Sequence, residues 1–189
     1  MGRWLAILVA VATLSALSGV GAYQLVRPAI ERSSAPSGVK WQEIAWSFPR
    51  DGWPAGRAFR CASCGEGGTA VELYVRPKIG FCNCDTGVAD DDEVDRVADL
   101  DLISERFVPV EAGKVVRLAD MAGRARLYDL KMPDGSQHTA VGIALSHRCD
   151  LLVAVAQGQA NAEQLRRAAL AFLKSDEMHH WMLASLGGH

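Results

Sequence analysis

The sequence of 189 residues has no excess of positive charge and carries none of the common catalytic signatures. Its 20 Lys and Arg against 22 Asp and Glu give a formal charge of −2, whereas binding to nucleic acid requires clustered basic residues. No P-loop, G-x-S-x-G, H-E-x-x-H or dinucleotide-binding motif occurs. We therefore expect no nucleic-acid partner, and a non-enzymatic role is favoured over the common enzyme classes.

Charged residues are also missing from a long stretch near the N-terminus. Between Arg3 and Arg27 every residue is uncharged, and this run is long enough to cross a hydrocarbon core of about 30 Å. One interpretation is a signal peptide that ends at the small residues 20–22. The other is an uncleaved transmembrane anchor over residues 1–27, with Tyr23 at the interface. We favour the anchor because the apolar run continues past the small residues.

Both interpretations export the rest of the chain. Residues 28–40 are rich in Ser, Pro and Gly and predict a flexible linker, followed by a folded domain over residues 41–189. Five cysteines in such a domain suit an oxidising compartment. The prediction is a single-pass inner (plasma) membrane protein with its domain in the periplasm, or a periplasmic protein if the segment is cleaved. We expect a protein partner in the cell envelope.

Residues 41–189 predict an α+β fold, with an antiparallel sheet covered by helices. Alternation places Val71, Leu73 and Val75 on one face of a strand. The nearly continuous apolar run from Cys149 to Gln157 predicts a strand that is buried on both faces near the centre of the sheet. Helices are expected after Asp90, after Asn161 and over 175–186, and further strands over 41–48, 79–84, 115–118, 124–132 and 137–146.

The cysteines form a CxxC at Cys61 and Cys64, a CxC at Cys82 and Cys84, and a fifth position at Cys149. Structural disulfides are the first interpretation, since they are typical of exported domains. Cross-links between the CxxC loop and the CxC strand would close loops of about twenty residues and contribute around 3 kcal/mol each. Cys149 is then the odd thiol, or it pairs with one of the four and leaves another free.

A metal site and a redox centre are the alternatives for this cluster. Cys61, Cys64, Cys82 and Cys84 could hold zinc, or copper(I), as four thiolates; otherwise no cofactor is expected. A redox CxxC normally lies at a helix N-terminus, but here a glycine-rich loop, 65–68, follows the motif. A c-type haem is excluded because a glycine stands where the His would be.

An acidic run and an exposed aromatic are the remaining candidates for partner contact. Asp90, Asp91 and Asp92 open a predicted helix, where carboxylates favour the positive end of the dipole. They are either a solvated helix N-terminus or a docking point for a cation or a basic partner, without EF-hand spacing. Trp53, between a glycine and a proline, is the expected exposed member of an aromatic cluster. The sequence thus predicts a disulfide-stabilised, membrane-anchored accessory or binding protein; the alternative is a metal-binding or thiol-redox protein.

Overall fold

An eight-stranded antiparallel sheet with three helices makes up the part of the chain that the computed structural model describes, residues 40–49, 51–81 and 83–187. The predicted α+β class is confirmed at this level. The predicted anchor or signal segment, nearly all of the linker, and Cys82 lie outside the described residues. Within the described ranges, no helix combines the length and the apolar character that a membrane span requires.

The strands and helices follow in this order: β1 (Trp41–Ile44), β2 (Arg57–Cys61), β3 (Val71–Lys78), α1 (Asp91–Val97), β4 (Phe107–Pro109), β5 (Lys114–Leu118), β6 (Met121–Lys131), β7 (Gln137–His147), β8 (Asp150–Gly158), α2 (Ala162–Leu173) and α3 (Asp176–Leu186). The sheet order is β1-β2-β3-β8-β7-β6-β4, and β5 also pairs with β6. The last strand in sequence therefore lies at the centre, between β3 and β7. This confirms the central, doubly buried strand, since Leu151 to Ala156 are at most 2% exposed.

Each face of the sheet has its own core. On one side, which we call the helix face, residues such as Leu73, Ile143 and Ala154 pack against buried side chains of α2 and α3. On the opposite side, the loop face, residues such as Tyr128 and Val153 pack against α1 and the segment that follows it. The predicted alternation in β3 is confirmed, because Val71, Leu73 and Val75 all lie in the core under the helices. The odd-numbered residues 141, 143 and 145 of β7 lie in the same core.

Two predicted strands differ from the structure. β1 ends at Ile44 instead of residue 48. Residues 79–84 were expected to be a strand, but β3 ends at Lys78 and the chain then turns. Local polar contacts replace the ladder there: the Asn83 side-chain oxygen accepts from the N–H groups of Asp85 and Thr86, and its carbonyl accepts from Gly87. Such Asx turns compete with strand pairing.

Candidate functional site

The CxxC closes on itself in a buried disulfide. Cys61, the last residue of β2, is bonded to Cys64 with 5.6 Å between their Cα atoms, and the two residues are only 1% and 4% exposed in the helix-face core. The loop is fixed to the start of α2, where Gln164 Nε2 donates to the Cys64 carbonyl at 3.1 Å. An external thiol has no access to this disulfide in the folded domain.

A second disulfide joins Cys84 to Cys149, 65 positions apart in sequence. Both residues are exposed. Cys149 lies in the two-residue connection between β7 and β8, because His147 and Asp150 on either side are paired. The bond therefore ties residues 79–90, which we call the clamp loop, to the β7–β8 turn. A hydrogen bond from Gly80 N to Asp150 Oδ1, 2.6 Å, supports the same attachment.

The prediction of disulfides is confirmed. The cross-links considered between the CxxC and the CxC are wrong for Cys61, Cys64 and Cys84, and the alternative in which Cys149 pairs with one of the other four cysteines is the one observed. The physical reason is that Cys84 does not lie on a strand beside the CxxC: it sits in a turn that the disulfide joins to the β7–β8 connection. Of the four thiols proposed as metal ligands, Cys61, Cys64 and Cys84 are oxidised. Among residues 40–49, 51–81 and 83–187 no group of three or more His, Cys, Asp or Glu side chains is arranged to hold a metal ion.

The CxxC also does not begin an α-helix. The residues after it, Glu66–Gly68, form a single 3-10 turn in which Gly67 has φ of 63°. Gly65 is required at its position, because a Cβ there would lie 2.2 Å from Thr69 Oγ1. The arrangement that lowers the thiol pKa in redox CxxC motifs is a helix starting at the motif itself, and it is not formed here.

Two of the three aspartates of the acidic run, Asp90 and Asp91, make contacts within the fold. The Asp90 side chain accepts a hydrogen bond from Glu93 N and so caps α1, as predicted. Asp91 binds Gly113 N at 2.8 Å and Arg124 at 2.7 Å; these contacts, the backbone hydrogen bond first, hold the pKa of Asp91 below its usual value. Asp92 is exposed. Within the described part of the chain its carboxylate forms none of the contacts given above for Asp90 and Asp91.

A buried ion cluster on the loop face was not predicted from the sequence. Arg76 and Lys78 project from β3, with side chains only 3% and 8% exposed. Asp99 binds both, at 2.6 Å to Arg76 and 2.7 Å to Lys78. Asp51 forms a two-point contact with Arg76, at 2.8 and 2.6 Å, and this hydrogen bonding lowers the pKa of Asp51 to about 2.

Aromatic rings cover this ion cluster. The Lys78 Nζ lies 5.9 Å from the ring centres of both Trp53 and Phe81, and these two rings meet edge to face at 5.1 Å. Trp46 lies 5.7 Å from the Arg76 guanidinium. Trp53, expected to be the exposed aromatic, is half-buried and packs on the clamp loop through Phe81. The distances are those of cation–π contacts.

A chain of polar side chains crosses β7, β8 and β3 on the loop face. His138 Nδ1 is hydrogen-bonded to Gln157, Gln157 Nε2 donates to Glu72 at 3.0 Å, and Tyr74 donates to the same carboxylate at 2.6 Å. Burial, together with this carboxylate, raises the pKa of Tyr74. Sequence analysis missed this chain, since its members lie on three strands that pair only in the folded sheet.

The sheet has two edges, β1 on one side and the β4–β5 segment on the other. β4 and β5 both pair with β6 on the same side, with Val110 N donating to the Leu127 carbonyl at 2.9 Å between them. On its outer side, this segment has no strand partner among the described residues. The exposed large hydrophobic side chains of the described part of the chain are Val108, Val110 and Val115, at 64%, 55% and 66%. We call residues 107–118 the open edge.

A surface depression of about 500 Å³ lies at the β6–β7 turn, at the end of the sheet opposite the β7–β8 turn that carries Cys149. Residues 101–106 and the β6–β7 turn line it. Its Ser104 hydroxyl is occupied by the carbonyls of Arg106 and Lys131, at 2.9 and 2.7 Å. The Ser104 hydroxyl is therefore already hydrogen-bonded within the protein and is not available to a ligand in the depression.

Comparison with known proteins gives no assignment. No protein-family model matches the chain, and no curated protein is similar to it in sequence. Function must be argued from the residues.

Proposed function

We propose that this protein is a membrane-tethered, extracytoplasmic accessory subunit whose folded domain binds an envelope protein through the open edge. Residues 1–27 would anchor it in the inner membrane, and residues 28–40 would form the linker. The binding is non-enzymatic and consists of addition of an extended strand to the sheet. The observation that carries the proposal is the concentration of exposed large hydrophobic side chains on a sheet edge that has no outer strand partner among the described residues.

Strand addition uses two features that the open edge offers. The outer N–H and C=O groups of a sheet edge are available for main-chain hydrogen bonds, and side chains that alternate along the edge give specificity. Val115 is 66% exposed and lies beside Arg124 in the register of β5 with β6. Large exposed apolar side chains on an edge otherwise favour aggregation, so their presence is explained if a partner covers them.

The partner strand should carry apolar residues alternating with carboxylates. Lys114 and Arg117 lie on either side of the exposed Val115 and are themselves exposed. The Lys114 ammonium group forms an ion pair with the exposed Glu111, at 3.5 Å. Like charges opposite each other in neighbouring strands are unfavourable, and edge proline and lysine residues oppose pairing between copies. Pro109, Lys114 and Arg117 therefore favour a different protein over a second copy of this chain.

Export is supported by independent features. The uncharged N-terminal run is long enough for a membrane span, and disulfides form and persist in oxidising compartments. The described domain contains two disulfides. These features together support a periplasmic location for residues 41–189.

Photo-crosslinking in intact cells tests the binding site. A photoreactive residue is placed at Val108 or Val115 in the full chain, and the matched control carries it at Gln42, an exposed residue of β1 at the opposite edge. We expect an adduct with one envelope protein from the two edge positions and none from Gln42. An adduct between copies of this chain, equal labelling from Gln42, or no adduct from the open edge would each contradict the proposal.

A competition experiment shows whether strand addition is the mode of binding. A synthetic peptide covering the crosslinked segment of the partner should compete for the full chain in detergent. Val115→Lys should weaken that binding about 10-fold or more, since it replaces a buried apolar contact by a charge. Gln42→Lys, with the same added charge, should leave it unchanged. Equal effects of the two variants would argue against the open edge.

Location and cysteine chemistry are tested on the same preparation. A C-terminal reporter that is active only in oxidising compartments should be active, and the chain should remain in the membrane after a high-salt wash. Denaturation without reductant should expose one thiol per chain, since four of the five cysteines are paired. Four reactive thiols with one zinc or copper per chain would instead support the thiolate metal site.

A further inference from the structure

The two disulfides differ in whether a reductant can reach them. Cys61 and Cys64 are 1% and 4% exposed, within the helix-face core. Cys84 and Cys149 are both exposed, one in the clamp loop and one in the β7–β8 turn. Thiol–disulfide exchange requires a thiolate to approach a sulfur directly, so its rate depends on access. The exposed pair can react without unfolding of the domain.

We propose that Cys84–Cys149 is a thiol–disulfide exchange site whose reduction by a dithiol, of the CxxC protein class, releases the clamp loop from the sheet. This inference goes beyond the proposed binding function and does not depend on the open edge. It assigns different roles to the two disulfides: the buried bond is structural, and the exposed bond is reversible.

The reaction balances with the dithiol as the only co-reactant. One thiolate of the dithiol attacks a sulfur of Cys84–Cys149, forms a mixed disulfide and expels the other cysteine as a thiolate. The second thiol of the dithiol then attacks the mixed disulfide and becomes oxidised with the first. Two electrons and two protons have passed from the dithiol to Cys84 and Cys149. A disulfide donor reverses the same steps.

The β7–β8 turn does not depend on the disulfide for its shape. Arg148, directly before Cys149, has φ of 56°, in the left-handed region that two-residue hairpins require. Ala119 has a similar φ of 52° in the two-residue connection between β5 and β6, which contains no cysteine. The pairing of His147 with Asp150 therefore fixes the turn, and we expect reduction to free the clamp loop while the hairpin stays in place.

Release of the clamp loop would uncover part of the loop face. Val88 is buried in the loop-face core, and Phe81 packs against the same core. Phe81 also contacts Trp53 and lies 5.1 Å below the Arg96 guanidinium. Once the disulfide is reduced, the clamp loop is attached only by non-covalent interactions, namely these contacts of Val88 and Phe81 and the Gly80–Asp150 hydrogen bond. We expect local opening of residues 79–90 with the sheet intact.

Differential alkylation measures the selectivity. The full chain carries Cys82→Ser, so that the fifth cysteine cannot exchange with its neighbours. It is treated with dithiothreitol under native conditions, and thiols are labelled at intervals and located by mass spectrometry. Cys84 and Cys149 should be labelled at least about tenfold faster than Cys61 and Cys64. Equal rates, or faster labelling of the CxxC, would overturn the proposal.

Hydrogen exchange measures the consequence. Reduction should accelerate exchange in peptides from residues 79–90 while peptides from α2 stay protected, and reoxidation should restore the original pattern. Cys84→Ser with Cys149→Ser should show the fast exchange without reductant. If that variant does not fold, the reduced parent chain gives the same measurement. Unchanged exchange in residues 79–90 after reduction would overturn the release of the loop.

The class of reductant is tested separately. A CxxC dithiol protein should reduce Cys84–Cys149 faster than glutathione at an equal concentration of thiol, because its second thiol resolves the mixed disulfide within the same molecule. Equal rates would overturn the assignment to a dithiol protein.

Discussion

The two faces of the sheet are covered by different kinds of structure and are held by different interactions. The helix face is covered by α2 and α3, and the side chains that these helices bury there are apolar. The loop face is covered by the short α1 and by irregular segments, which are attached through ion pairs and the exposed disulfide. Regular helices satisfy their own backbone groups, so apolar burial is enough to fix them. Irregular segments need specific polar and covalent links.

The largest effect should come from breaking the ion cluster of the loop face. Asp99→Ala leaves Arg76 and Lys78 buried without their shared carboxylate, and removal of one partner from a buried ion pair costs about 3–5 kcal/mol. Urea unfolding should show this loss. Glu163→Ala, which breaks the exposed pair with Arg166 on α2, is the control and should cost less than about 1 kcal/mol. Similar losses for both variants would remove the distinction between the faces.

Removal of the exposed disulfide should cost nearly as much. Cys84→Ser with Cys149→Ser opens a loop whose ends are 65 positions apart, and the chain-entropy argument gives about 4 kcal/mol for a loop of that size. Cys61 and Cys64 are only 3 positions apart, so the entropic part of their contribution is smaller. Urea unfolding of the double variant under non-reducing conditions measures the loss. A loss below about 1 kcal/mol would argue that the clamp loop is held by its non-covalent contacts.

Truncation on the helix face should have a similar or smaller effect, by a different mechanism. Leu165 in α2 is fully buried, and Leu165→Ala should cost about 3 kcal/mol through lost apolar contacts and a residual cavity. Ala168→Gly, at a half-exposed position of the same helix, is the control and should cost about 1 kcal/mol. Hydrogen exchange in residues 79–90 should not change in either variant at temperatures well below unfolding. Coupled opening of the clamp loop would show that the two faces are not independent.

The smallest expected effect is on the stability of the fold at low pH. Arg76 lowers the pKa of Asp51 to about 2 from a usual value near 3.8. A carboxylate with a lowered folded-state pKa stabilises the fold above its unfolded pKa, and this stabilisation is lost as pH falls through the folded value. The difference in stability between the parent chain and Asp51→Asn should therefore be full at pH 6 and shrink between about pH 4 and pH 2. Urea midpoints across that range measure it, and a constant difference would contradict the assignment.

The same contrast explains what sequence patterns could predict. Alternation along β3 and the apolar run in β8 reflect burial of whole faces, and both were correctly predicted. The caps at Asp90 and Asn161 were also predictable, because a side chain and the backbone N–H it binds are three residues apart or fewer. These features are local, so composition and spacing are enough to identify them.

Features that join distant residues were not predictable. Nothing in the spacing indicates that Asp99 binds both Arg76 and Lys78, or that Cys149 pairs with Cys84 and not with the CxxC. β2 was missed because its five residues, Arg57–Cys61, mix charged and apolar side chains. The polar turn at Asn83 stands where a strand was predicted, and Cys84 lies in this turn and pairs with Cys149 instead of the CxxC. Most errors therefore concern the loop face.

The position of β8 has a consequence for the order of folding. β3 pairs with β8, with Val71 opposite Gly158 and Lys78 opposite Leu151. Strands β1–β3 are therefore joined to strands β6 and β7 only once β8 has formed between them. During synthesis, which proceeds from the N-terminus, the apolar strand β3 stays without its β8 partner until residues 150–158 have been made. Pairing across such sequence separations is slow because the loop-closure entropy is lost before contacts form. Cys61 can find Cys64 at once, whereas Cys84 can find Cys149 only after the β7–β8 turn exists. The exposed disulfide thus marks a chain in which the β7–β8 turn has reached the clamp loop.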